Sequence, residues 1–321
     1  MQVLSAQHSL INFTGSDFLI SNVSLLTDEL EKLNIKFSLN EPMHRHTSFK
    51  IGGAADVFVS VATTEEFAKV LSFCGEIGVP VTVLGKGSNL LVSDKGIEGA
   101  VICLENLNGI TRIGEKIVAG AGVNLATLCT FAANEGLTGL EFAFGIPGSV
   151  GGAVYMNAGA YGGEMKDVLE SVTAVSENGE VLTLCGEELC LSYRSSVFQK
   201  TGATVVEAVF ALNKGETAEI KAQMTDIMGR RKAKQPLELP SAGSTFKRPE
   251  GYFAGTLIEQ CGLKGLTVGG AQVSTKHAGF VVNVGGATAQ DVLDLIKKVQ
   301  EIVLEKTGVT LEPEVIFIGR K

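Results

Sequence analysis

Residues 142–163 read FAFGIPGSVGGAVYMNAGAYGG, an uncharged stretch with glycine at seven positions. Glycine has no Cβ, so its backbone N–H can come within hydrogen-bonding distance of a ligand. We predict a loop, a short apolar helix over 149–156, and a second loop over 157–163. A glycine loop that leads into a helix N-terminus suits a phosphate group. The stretch therefore predicts a buried dinucleotide cradle; the alternative is a tightly packed glycine core that holds no ligand.

The composition describes a globular protein of about two domains. The chain has 321 residues, of which 45% are hydrophobic and 19% are charged, enough to bury a large core. Its net charge of −8 argues against a nucleic-acid partner, since phosphate backbones are bound by basic surfaces. Glycine is in excess, with 39 residues, and we predict that these glycines mark places where the backbone approaches a ligand.

The cysteines, the histidines and the N-terminal sequence indicate neither a metal site nor a secretory signal. The six cysteines form no CxxC pair and the four histidines show no HxxxH spacing. We therefore predict no metal, and we expect the cysteines to lie reduced in the core. No basic segment followed by an apolar run opens the sequence, so we expect a cytoplasmic protein with no membrane partner.

Helix and strand signals alternate along the chain. After an arm over 1–21, we predict an amphipathic helix over 23–33. Thr63 and Glu66 form a capping-box signal that opens a helix ending at Gly78. Asn178-Gly179, between two apolar runs, predicts a β-hairpin. The other predicted elements are strands over 56–61, 81–84, 90–92, 100–104, 117–119, 171–175, 181–184, 204–212 and 310–318, and helices over 124–134, 216–234 and 291–306.

These elements predict a mixed α/β (α+β) fold of several parts. Pro236 and Pro240 follow a polar helix and mark a natural boundary. We expect the last strand to pack back on the first subdomain. The chain is divided into an arm over 1–21, a ligand-binding domain over 22–213 whose two α/β subdomains separate near 100–110, a connecting helix over 214–235, and a C-terminal α+β domain over 236–321.

Three glycine-rich segments, at 85–89, 120–122 and 145–152, are predicted to contact the ligand. Lys86 is followed by Gly87, so the phosphate-loop pattern G-x-x-x-x-G-K-[ST] fails. The dinucleotide pattern G-x-G-x-x-G fails as well, because leucine takes its last position and the chain runs into a strand rather than a helix. Contacts from three separate segments suit an extended dinucleotide better than a mononucleotide.

Several segments resemble one flavoprotein family. LGKGSNLLV at 84–92, VAGAG at 118–122 and GIPGSVGGAVYMNAGAYGGE at 145–164 resemble the flavin-binding fold of p-cresol methylhydroxylase and vanillyl alcohol oxidase. The chain also contains, in order, HTSFKIGGAADVFV, LSYRSSVFQ, PSAGSTFKRP, KHAGFVVN and LEPEVIFIG. Together these segments are similar to the UDP-N-acetylenolpyruvoylglucosamine reductases, enzymes of peptidoglycan precursor synthesis. The short passage from Arg194 to Thr204 resembles the branch that lacks an added loop over the substrate.

The resemblance implies FAD as the cofactor and NADPH as the reductant. In the wider fold a histidine or cysteine near these loops attaches the flavin covalently. Ser88 stands at that loop position here, so we expect FAD to be bound without a covalent bond. The residues expected to contact the cofactor are Ile51, Gly85, Lys86, Gly87, Ser88, Asn89, Leu90, Gly122, Pro147, Gly148, Ser149, Gly151, Gly152, Asn157, Ala158 and Gly159.

The implied reaction reduces an enolpyruvyl ether, which needs a clamp for the developing enolate and a proton donor. Arg194 matches the family's catalytic arginine, Ser244 matches its proton donor, and Glu314 matches the third catalytic residue, which helps Arg194 hold the enolate. In the predicted last strand, Glu314 shares a face with Ile316 and Ile318. Without the resemblance, the three residues could equally be a surface arginine, a loop hydroxyl and an edge-strand glutamate.

Four further residues are expected to bind the substrate: Tyr193, Lys234, Lys247 and His277. Lys234 is favoured for the substrate's diphosphate because it precedes the C-terminal domain, although complementarity to a helix dipole also explains lysine there. Arg248 stands where many members of the family have asparagine. His277 stands where other members have glutamine, and a packed histidine is an equally open reading. We expect a UDP-sugar as the small-molecule partner, and a monomer.

Two other functions are compatible with the glycine segments. The first is the FAD-binding subunit of a molybdenum hydroxylase-type complex, which would have no reason to contain Arg194, Ser244 and Glu314 in these contexts. The second is a non-catalytic nucleotide-binding module, and the intact YR, AGS and EPEV segments argue against it.

Overall fold

The structure is a computed structural model that describes residues 15–321, with side chains described from Asn22 onward. The first fourteen residues of the predicted N-terminal arm lie outside this part of the chain. Within it, each helix is too short or too polar to span a bilayer.

The first subdomain is an α/β unit built on a four-stranded sheet. Its elements are α1 (Gly15–Lys32), β1 (Lys36–Pro42), β2 (Ala54–Ser60), α2 (Thr64–Glu76), β3 (Val81–Leu84), β4 (Leu90–Val92) and β5 (Ile97–Cys103). The strand order is β1–β2–β5–β3. β1 pairs antiparallel with β2, whereas β2, β5 and β3 are parallel. Helices α1 and α2 bury Leu26, Leu30, Phe67 and Val70 in the same core cluster as β2 and β5.

The start of α2 agrees with its sequence signal, whereas the start of α1 differs from the prediction. Thr63 caps α2 as predicted, because its hydroxyl accepts the backbone N–H of Glu66 at 3.1 Å. The Thr63 half of the predicted capping box is therefore confirmed. The reciprocal half differs, because the Glu66 carboxylate accepts the N–H of Ala62 at 2.7 Å rather than that of Thr63. The predicted start of the first helix is wrong, since α1 begins at Gly15 rather than near Val23. Ser16 and Asp17, which favour helix starts, were the available signal.

The second subdomain is an antiparallel sheet with helices against it. Its elements are β6 (Ile110–Ile113), β7 (Lys116–Gly120), α3 (Leu125–Asn134), β8 (Leu137–Thr138), α4 (Val150–Tyr155), β9 (Gly159–Ala160), β10 (Gly163–Glu164), β11 (Leu169–Val175), β12 (Val181–Cys185), α5 (Phe198–Thr201), β13 (Thr204–Ala211) and β14 (Asn213–Lys214). Its main sheet has the order β12–β11–β13–β7–β6. The predicted hairpin of β11 and β12 is confirmed, with Gly179 in its turn at φ +83°.

A long helix leads into the C-terminal domain. The remaining elements are α6 (Thr217–Lys234), α7 (Ala254–Gln260), β15 (Thr267–Val268), β16 (Ala271–Val273), β17 (Val281–Asn283), α8 (Ala289–Thr307) and β18 (Ile316–Ile318). Thr288 and Asp291 form a capping box at the start of α8, as predicted. The predicted apolar stripe of α8, which includes Val292, Val299 and Val303, is buried against β16 and α7.

The last strand is shorter than predicted. It begins at Ile316, and Glu314 lies two residues before it. The chain changes partner here: the N–H of Glu314 donates to the carbonyl of Thr245 at 2.8 Å, whereas that of Ile316 donates to the carbonyl of Asn89 at 3.0 Å. The prediction that Glu314 and Ile316 lie on one face of a single strand is therefore wrong, because the two residues bond to different segments. β18 itself pairs in parallel with β4 of the first subdomain.

Three side chains also join the C-terminal domain to the first subdomain. The Asp94 carboxylate accepts the N–H of Ala289 at 2.8 Å, at the start of α8. The Ser48 hydroxyl donates to the carbonyl of Ser241 at 2.7 Å, and the Asn283 amide donates to the carbonyl of Phe49 at 3.2 Å. These bonds fix the segment around Ser241 against the first subdomain.

Candidate active site

A cavity of about 540 Å³ lies between the second subdomain, α6 and the C-terminal domain. It brings together residues that the sequence places more than a hundred positions apart. Its lining consists of Tyr193, Arg194, Ala233, Lys234, Ser244, Phe246, Arg248, Phe253, Ala254, Gly255, Thr256, Glu259, Lys276, His277, Ala278, Gly279 and Glu314. The three predicted catalytic residues and three of the four predicted substrate residues are therefore in one cavity.

Arg194 reaches the cavity from a tight turn. Ser192 and Ser195 close this turn by exchanging backbone hydrogen bonds of 3.1 and 3.0 Å. Arg194 has φ +54°, a left-handed conformation that side chains other than glycine adopt rarely and at a cost in energy. A strained backbone persists only where the surrounding structure fixes it, so the direction of this side chain is set by its neighbours.

Side chains of the second subdomain hold the turn in place. The Asn157 amide donates to the carbonyl of Ser192 at 3.0 Å, and the Gln199 amide donates to the carbonyl of Arg194 at 3.1 Å. The Ser196 hydroxyl donates to the carbonyl of Tyr155 at 2.7 Å. Asn157 and Ser196 are fully buried, so these bonds are shielded from competing water. The turn is therefore anchored directly to the C-terminal end of α4.

Ser244 lies on a segment that is bonded on both sides. The N–H of Thr245 donates to the carbonyl of Gly279 at 2.8 Å, and its carbonyl accepts the N–H of Glu314 at 2.8 Å. The Thr245 hydroxyl accepts the N–H of Val281 at 2.9 Å. Ser244 itself is exposed to the cavity. Its hydroxyl is thus held between the segments that carry Glu314 and His277.

Arg194 and Glu314 form an ion pair on the cavity wall. The Arg194 Nε donates to Glu314 Oε1 at 2.5 Å, and the two side chains are 20% and 13% exposed. Burial raises the pKa of Glu314 above its ordinary value, and the charges of Arg194 and Lys247 oppose this rise only in part. The Asn89 amide donates to the carbonyl of Glu314 at 3.1 Å, so the first glycine segment helps to position this carboxylate.

The structure places some of the predicted substrate residues at the cavity and one of them away from it. Tyr193 and Lys234 line the cavity, and the Tyr193 hydroxyl accepts the N–H of Arg248 at 3.0 Å. Lys247 is not brought to the cavity wall; its ammonium group pairs with Glu312. Lys247 lies away from the cavity because residues 246–247 pair with residues 312–313 in an antiparallel bridge. In this pairing Phe246 faces the cavity and Lys247 does not.

His277 faces the cavity as a neutral donor. Burial lowers the pKa of His277 below its ordinary value, so the imidazole is uncharged at neutral pH. Its Nδ1 accepts the N–H of Gly279 at 3.1 Å, which places the ring hydrogen on Nε2. Gly255 and Gly279 leave room for the ring, since an added Cβ on either would lie 3.1 Å from His277 Cε1.

Two of the three glycine segments offer free backbone donors. Within the described part of the chain, the N–H groups of residues 85–89 donate no hydrogen bond, and neither do those of Gly148, Ser149 and Gly152. The two segments adjoin: a Cβ on Gly85 would lie 2.6 Å from Ser149 Oγ, and one on Gly148 would lie 3.3 Å from Ser88 Oγ. We name residues 85–89 and 147–152 the donor loops. Their converging N–H groups fit the phosphates of a dinucleotide.

Other glycines have a packing role, which corrects the prediction that the glycine excess marks ligand contacts. A Cβ on Gly122 would lie 2.2 Å from the carbonyl oxygen of Leu104, and one on Gly151 would lie 2.9 Å from Ala121 Cβ. A Cβ on Gly159 would lie 2.8 Å from the carbonyl oxygen of Gly163. The N–H groups of Gly122 and Gly151 bond to the carbonyls of Leu107 and Ala121. The segment at 120–122 is therefore not a third donor loop.

The structure gives protein partners or a buried position to most of the remaining predicted cofactor residues. Ile51 is buried in the C-terminal core cluster, and Leu90 lies in β4. Lys86 pairs with Glu105 at 3.0 Å. Besides its bond to Ser192, the Asn157 amide donates to Glu164 at 2.7 Å, and the N–H of Ala158 donates to the carbonyl of Ala153 at 2.8 Å. Pro147 and Gly87 lie within the donor loops.

Some cavity residues were missed from the sequence. Phe253, Glu259 and Lys276 line the cavity, and the Arg248 guanidinium lies 4.0 Å from the centroid of the Phe253 ring. For Lys276 the available signal was its position next to His277, and Arg248 had been noted as a departure from the family. Phe253 gives no such signal, because it reaches the cavity only through the start of α7.

Comparisons with known proteins agree with this geometry. The family described as "FAD binding domain" matches residues 55–185, and the family described as "UDP-N-acetylenolpyruvoylglucosamine reductase, C-terminal domain" matches residues 235–318. Donor loops inside the first match and a side-chain-lined cavity at the second define an FAD-dependent oxidoreductase.

Curated relatives give the family. A UDP-N-acetylenolpyruvoylglucosamine reductase of Lachnoclostridium phytofermentans is 56% identical over 89% of this chain and 94% of its own length. One of Listeria monocytogenes is 51% identical over 89% of this chain and 96% of its own length. The crystal structure of the Thermus caldophilus enzyme superposes with a TM-score of 0.74 and 38% identity over 88% of this chain and 98% of that chain. The chain belongs to the UDP-N-acetylenolpyruvoylglucosamine reductase family, and the predicted family, mixed α/β fold and FAD cofactor are confirmed.

Proposed function

We propose that the protein reduces the enolpyruvyl ether of UDP-N-acetylenolpyruvoylglucosamine to UDP-N-acetylmuramate, with NADPH as the reductant. The observation that carries this proposal is the meeting of Arg194, Ser244 and Glu314 in one cavity. An enolate forms on the substrate when a hydride is added to its vinyl group, and these three side chains supply a cation, a proton donor and a carboxylate that orients the cation.

The donor loops hold FAD without a covalent bond. FAD, when bound, supplies the hydride relay between NADPH and the substrate. The free N–H groups of residues 85–89 and of Gly148, Ser149 and Gly152 would hold its phosphate groups. The Asn89 side chain also donates to the carbonyl of Glu314, so a hydrogen bond links the proposed cofactor site to the cavity.

Arg194 and Glu314 hold the charge that develops on the substrate. A guanidinium stays protonated and can bind a carboxylate through two N–H groups. Glu314 engages Arg194 Nε, which leaves the terminal N–H groups of Arg194 to face the substrate's carboxylate and enolate oxygen. Because both side chains are largely buried, this attraction is stronger than it would be in water.

Ser244 donates the proton that completes the reduction. Its hydroxyl faces the cavity from a segment bonded to Gly279 and Glu314, so the proton reaches one face of the enolate carbon. Lys234 binds the substrate's diphosphate, and Tyr193 and His277 contact the rest of the UDP-sugar. We also propose that the protein acts in the cytoplasm as a monomer and that Lys247 acts through its charge rather than by contact.

Anaerobic half-reactions test the proposal. The purified protein is expected to be yellow, to lose its flavin absorbance with NADPH, and to regain it when UDP-N-acetylenolpyruvoylglucosamine is added without oxygen. Acid precipitation is expected to release the flavin into the supernatant, and size-exclusion chromatography is expected to give a monomer. Reduced protein that the enolpyruvyl sugar fails to reoxidise would contradict the proposed function.

A further inference from the structure

Phe253 is an exposed aromatic residue in the wall of the cavity. It lines the cavity although it is 60% exposed, so it stabilises no hydrophobic core. Its position in the helix does not explain the residue type either. Phe253 stands at the N-cap of α7 and makes no side-chain capping bond, and phenylalanine is not among the residues that favour an N-cap. Neither burial nor capping accounts for a phenyl ring here.

The backbone on both sides fixes Phe253 at the cavity. The N–H of Tyr252 donates to the carbonyl of Pro249 at 3.1 Å and closes a turn. Gly251, inside this turn, has φ +75°, a conformation that favours glycine. The carbonyl of Phe253 then accepts the N–H of Leu257 at 3.1 Å, the first hydrogen bond of α7. A turn before the residue and a helix after it therefore determine where the ring lies.

Arg248 covers one face of the Phe253 ring. Its guanidinium lies over the ring, 4.0 Å from the centroid, which is close enough for a cation–π interaction. The N–H of Arg248 donates to the Tyr193 hydroxyl at 3.0 Å, so the arginine is held beside the turn that carries Arg194. Because the guanidinium covers one face and the residue is still 60% exposed, the opposite face of the ring is open to a ligand.

The chemistry of the UDP-sugar indicates which of its parts suits this open face. Its sugar, ribose and phosphate groups present hydroxyls and charges, whereas its base presents a flat π surface. Bases stack on aromatic side chains, and arginine adds a cation–π contribution at such sites. The enolpyruvyl group is assigned to the three catalytic side chains and the diphosphate to Lys234, so the base remains for Phe253.

We propose that Phe253, with Arg248 on its other face, is the stacking platform for the planar base of the nucleotide ligand. Two ligands of the proposed reaction have such a base: the UDP-sugar has uracil, and NADPH has adenine and nicotinamide. The inference rests on the proposed function, because that function places a nucleotide in this cavity. It gives Phe253 a role in ligand affinity and none in the transfer of hydride or proton.

The test measures how UDP and 5,6-dihydro-UDP bind to the FAD-loaded protein, by calorimetry. The dihydro base keeps its carbonyl and N–H groups but is no longer flat, so it loses most of the stacking surface. The wild type should bind UDP more tightly than the dihydro compound. Phe253→Ala should bind UDP about 5- to 150-fold more weakly, which is the loss of one stacked base, and should no longer distinguish the two compounds.

Two variants serve as controls for Phe253→Ala. Phe253→Tyr keeps an aromatic ring and should bind UDP with nearly the affinity of the wild type. Tyr252→Ala removes the adjacent exposed ring, which does not line the cavity, and should match the wild type. The flavin absorbance of each variant shows that it is folded and loaded.

Anaerobic half-reactions distinguish the two sources of the base. If uracil stacks on Phe253, Phe253→Ala raises the concentration of enolpyruvyl sugar that gives half-maximal reoxidation and leaves reduction by NADPH unchanged. If a base of NADPH stacks there, the variant raises the concentration of NADPH that gives half-maximal reduction. In both cases the limiting rates stay near those of the wild type, because only binding is weakened.

Three results would count against these assignments in different ways. Unchanged UDP affinity together with unchanged NADPH dependence in Phe253→Ala would overturn the platform. An equal loss of affinity for UDP and 5,6-dihydro-UDP would also overturn it, because the ring would then act by packing rather than by stacking. A wild-type protein that binds no UDP at all would instead refute the proposed function itself.

Discussion

The donor loops and the cavity, which we propose to serve one reaction, present different parts of the chain. The donor loops present the free backbone N–H groups of residues 85–89 and of Gly148, Ser149 and Gly152. The cavity presents the charged or polar side chains of Arg194, Ser244 and Glu314. Arg194 and Glu314 are fixed by hydrogen bonds of their own, and Ser244 is fixed by those of its neighbour Thr245. Substitution should therefore affect chemistry in the cavity and affinity in the donor loops.

The largest effect is expected at Ser244. Removing the hydroxyl with Ser244→Ala should slow reoxidation of the flavin by the enolpyruvyl sugar by about 10²–10⁴-fold, the usual contribution of a general acid. Reduction by NADPH should stay near the wild-type rate, since Ser244 acts only on the substrate. Stopped-flow absorbance of the flavin under anaerobic conditions measures both steps.

The matched control for Ser244 is Ser241→Ala. Ser241 lies three residues away in the same segment and does not line the cavity, and its bond to Ser48 uses the backbone carbonyl. This control should leave both half-reactions unchanged. Equal slowing of the two half-reactions in Ser244→Ala would mean that Ser244 also affects the flavin, and it would contradict the role of Ser244 as a residue that acts only on the substrate.

Glu314 provides a pH-dependent test of the cavity. Burial raises the pKa of Glu314 above its ordinary value of 4.5, so the carboxyl is protonated where an exposed glutamate is already charged. Protonation removes the partner of Arg194, and the reoxidation rate should therefore fall with decreasing pH, by at most tenfold per pH unit, below an apparent pKa above 4.5. A pH series of the second half-reaction measures this limb.

In the variant Glu314→Gln the reoxidation rate should no longer fall with decreasing pH, and at high pH it should be about 10- to 100-fold slower than in the wild type, as expected for a lost charged hydrogen bond.

The pH dependence of the unfolding free energy gives a second test of Glu314. The folded state binds this proton more tightly than the unfolded state, so the group's contribution to the unfolding free energy is lost as pH rises from the unfolded to the folded pKa. The same acid limb in Glu314→Gln and wild type would assign the titration to another group.

Two adjacent glycines sharpen the comparison within the donor loops. Gly152 is exposed, and a Cβ there would meet only Ser149 Oγ, at 3.8 Å. Gly152→Ala should therefore keep the flavin-free protein stable, because alanine favours a helix by about 0.5–1 kcal/mol over glycine, while weakening FAD binding about tenfold by crowding the approach of the ligand. Thermal unfolding and FAD titration measure the two effects separately.

Gly151→Ala is the opposite case. Its Cβ would lie 2.9 Å from Ala121 Cβ, so this variant should lower the unfolding temperature whether or not FAD is present, by about 1–3 kcal/mol of unfolding free energy. If Gly152→Ala bound FAD as tightly as the wild type, the donor loops would not approach the ligand through this helix start.

The two regions also differed in how far the sequence could predict them. Arg194, Ser244 and Glu314 were found because their residue types and neighbouring segments match a known chemistry, and helix caps such as Thr63 and Glu66 were found because their signal is local. The sequence could not distinguish glycines that approach a ligand from glycines that pack against the protein backbone. Whether a Cβ at Gly122 meets backbone or ligand depends on Leu104, which no local pattern reveals.

Long-range partners caused the other errors. The start of the predicted last strand was misplaced because Glu314 bonds to Thr245 while Ile316 bonds to Asn89, two segments far away in the chain. The burial of Arg231, which is only 7% exposed, follows from the packing of α6 over Gly145 and was not indicated by the neighbouring sequence. Local sequence predicts local hydrogen bonds, but not which distant surface covers a residue.

The smallest effect is expected at Tyr193, which lines the cavity and is proposed to contact the substrate away from the enolate. The Tyr193 hydroxyl accepts the N–H of Arg248 at 3.0 Å, and its ring lies 5.0 Å from the Arg194 guanidinium. Tyr193→Phe keeps the ring and removes one neutral hydrogen bond, worth about 0.5–1.5 kcal/mol. We expect KM for the enolpyruvyl sugar to rise about two- to tenfold with kcat nearly unchanged.

Steady-state kinetics of Tyr193→Phe, with Tyr252→Phe as the control, measure this effect. Tyr252 is exposed and does not line the cavity, so its variant should match the wild type. A change in KM alone would mean that the hydroxyl holds the segment of Arg248 in a position that binds substrate and transition state equally. A fall in kcat of more than tenfold would instead place Tyr193 among the groups that act on the enolate, and the cavity would then contain a fourth catalytic side chain.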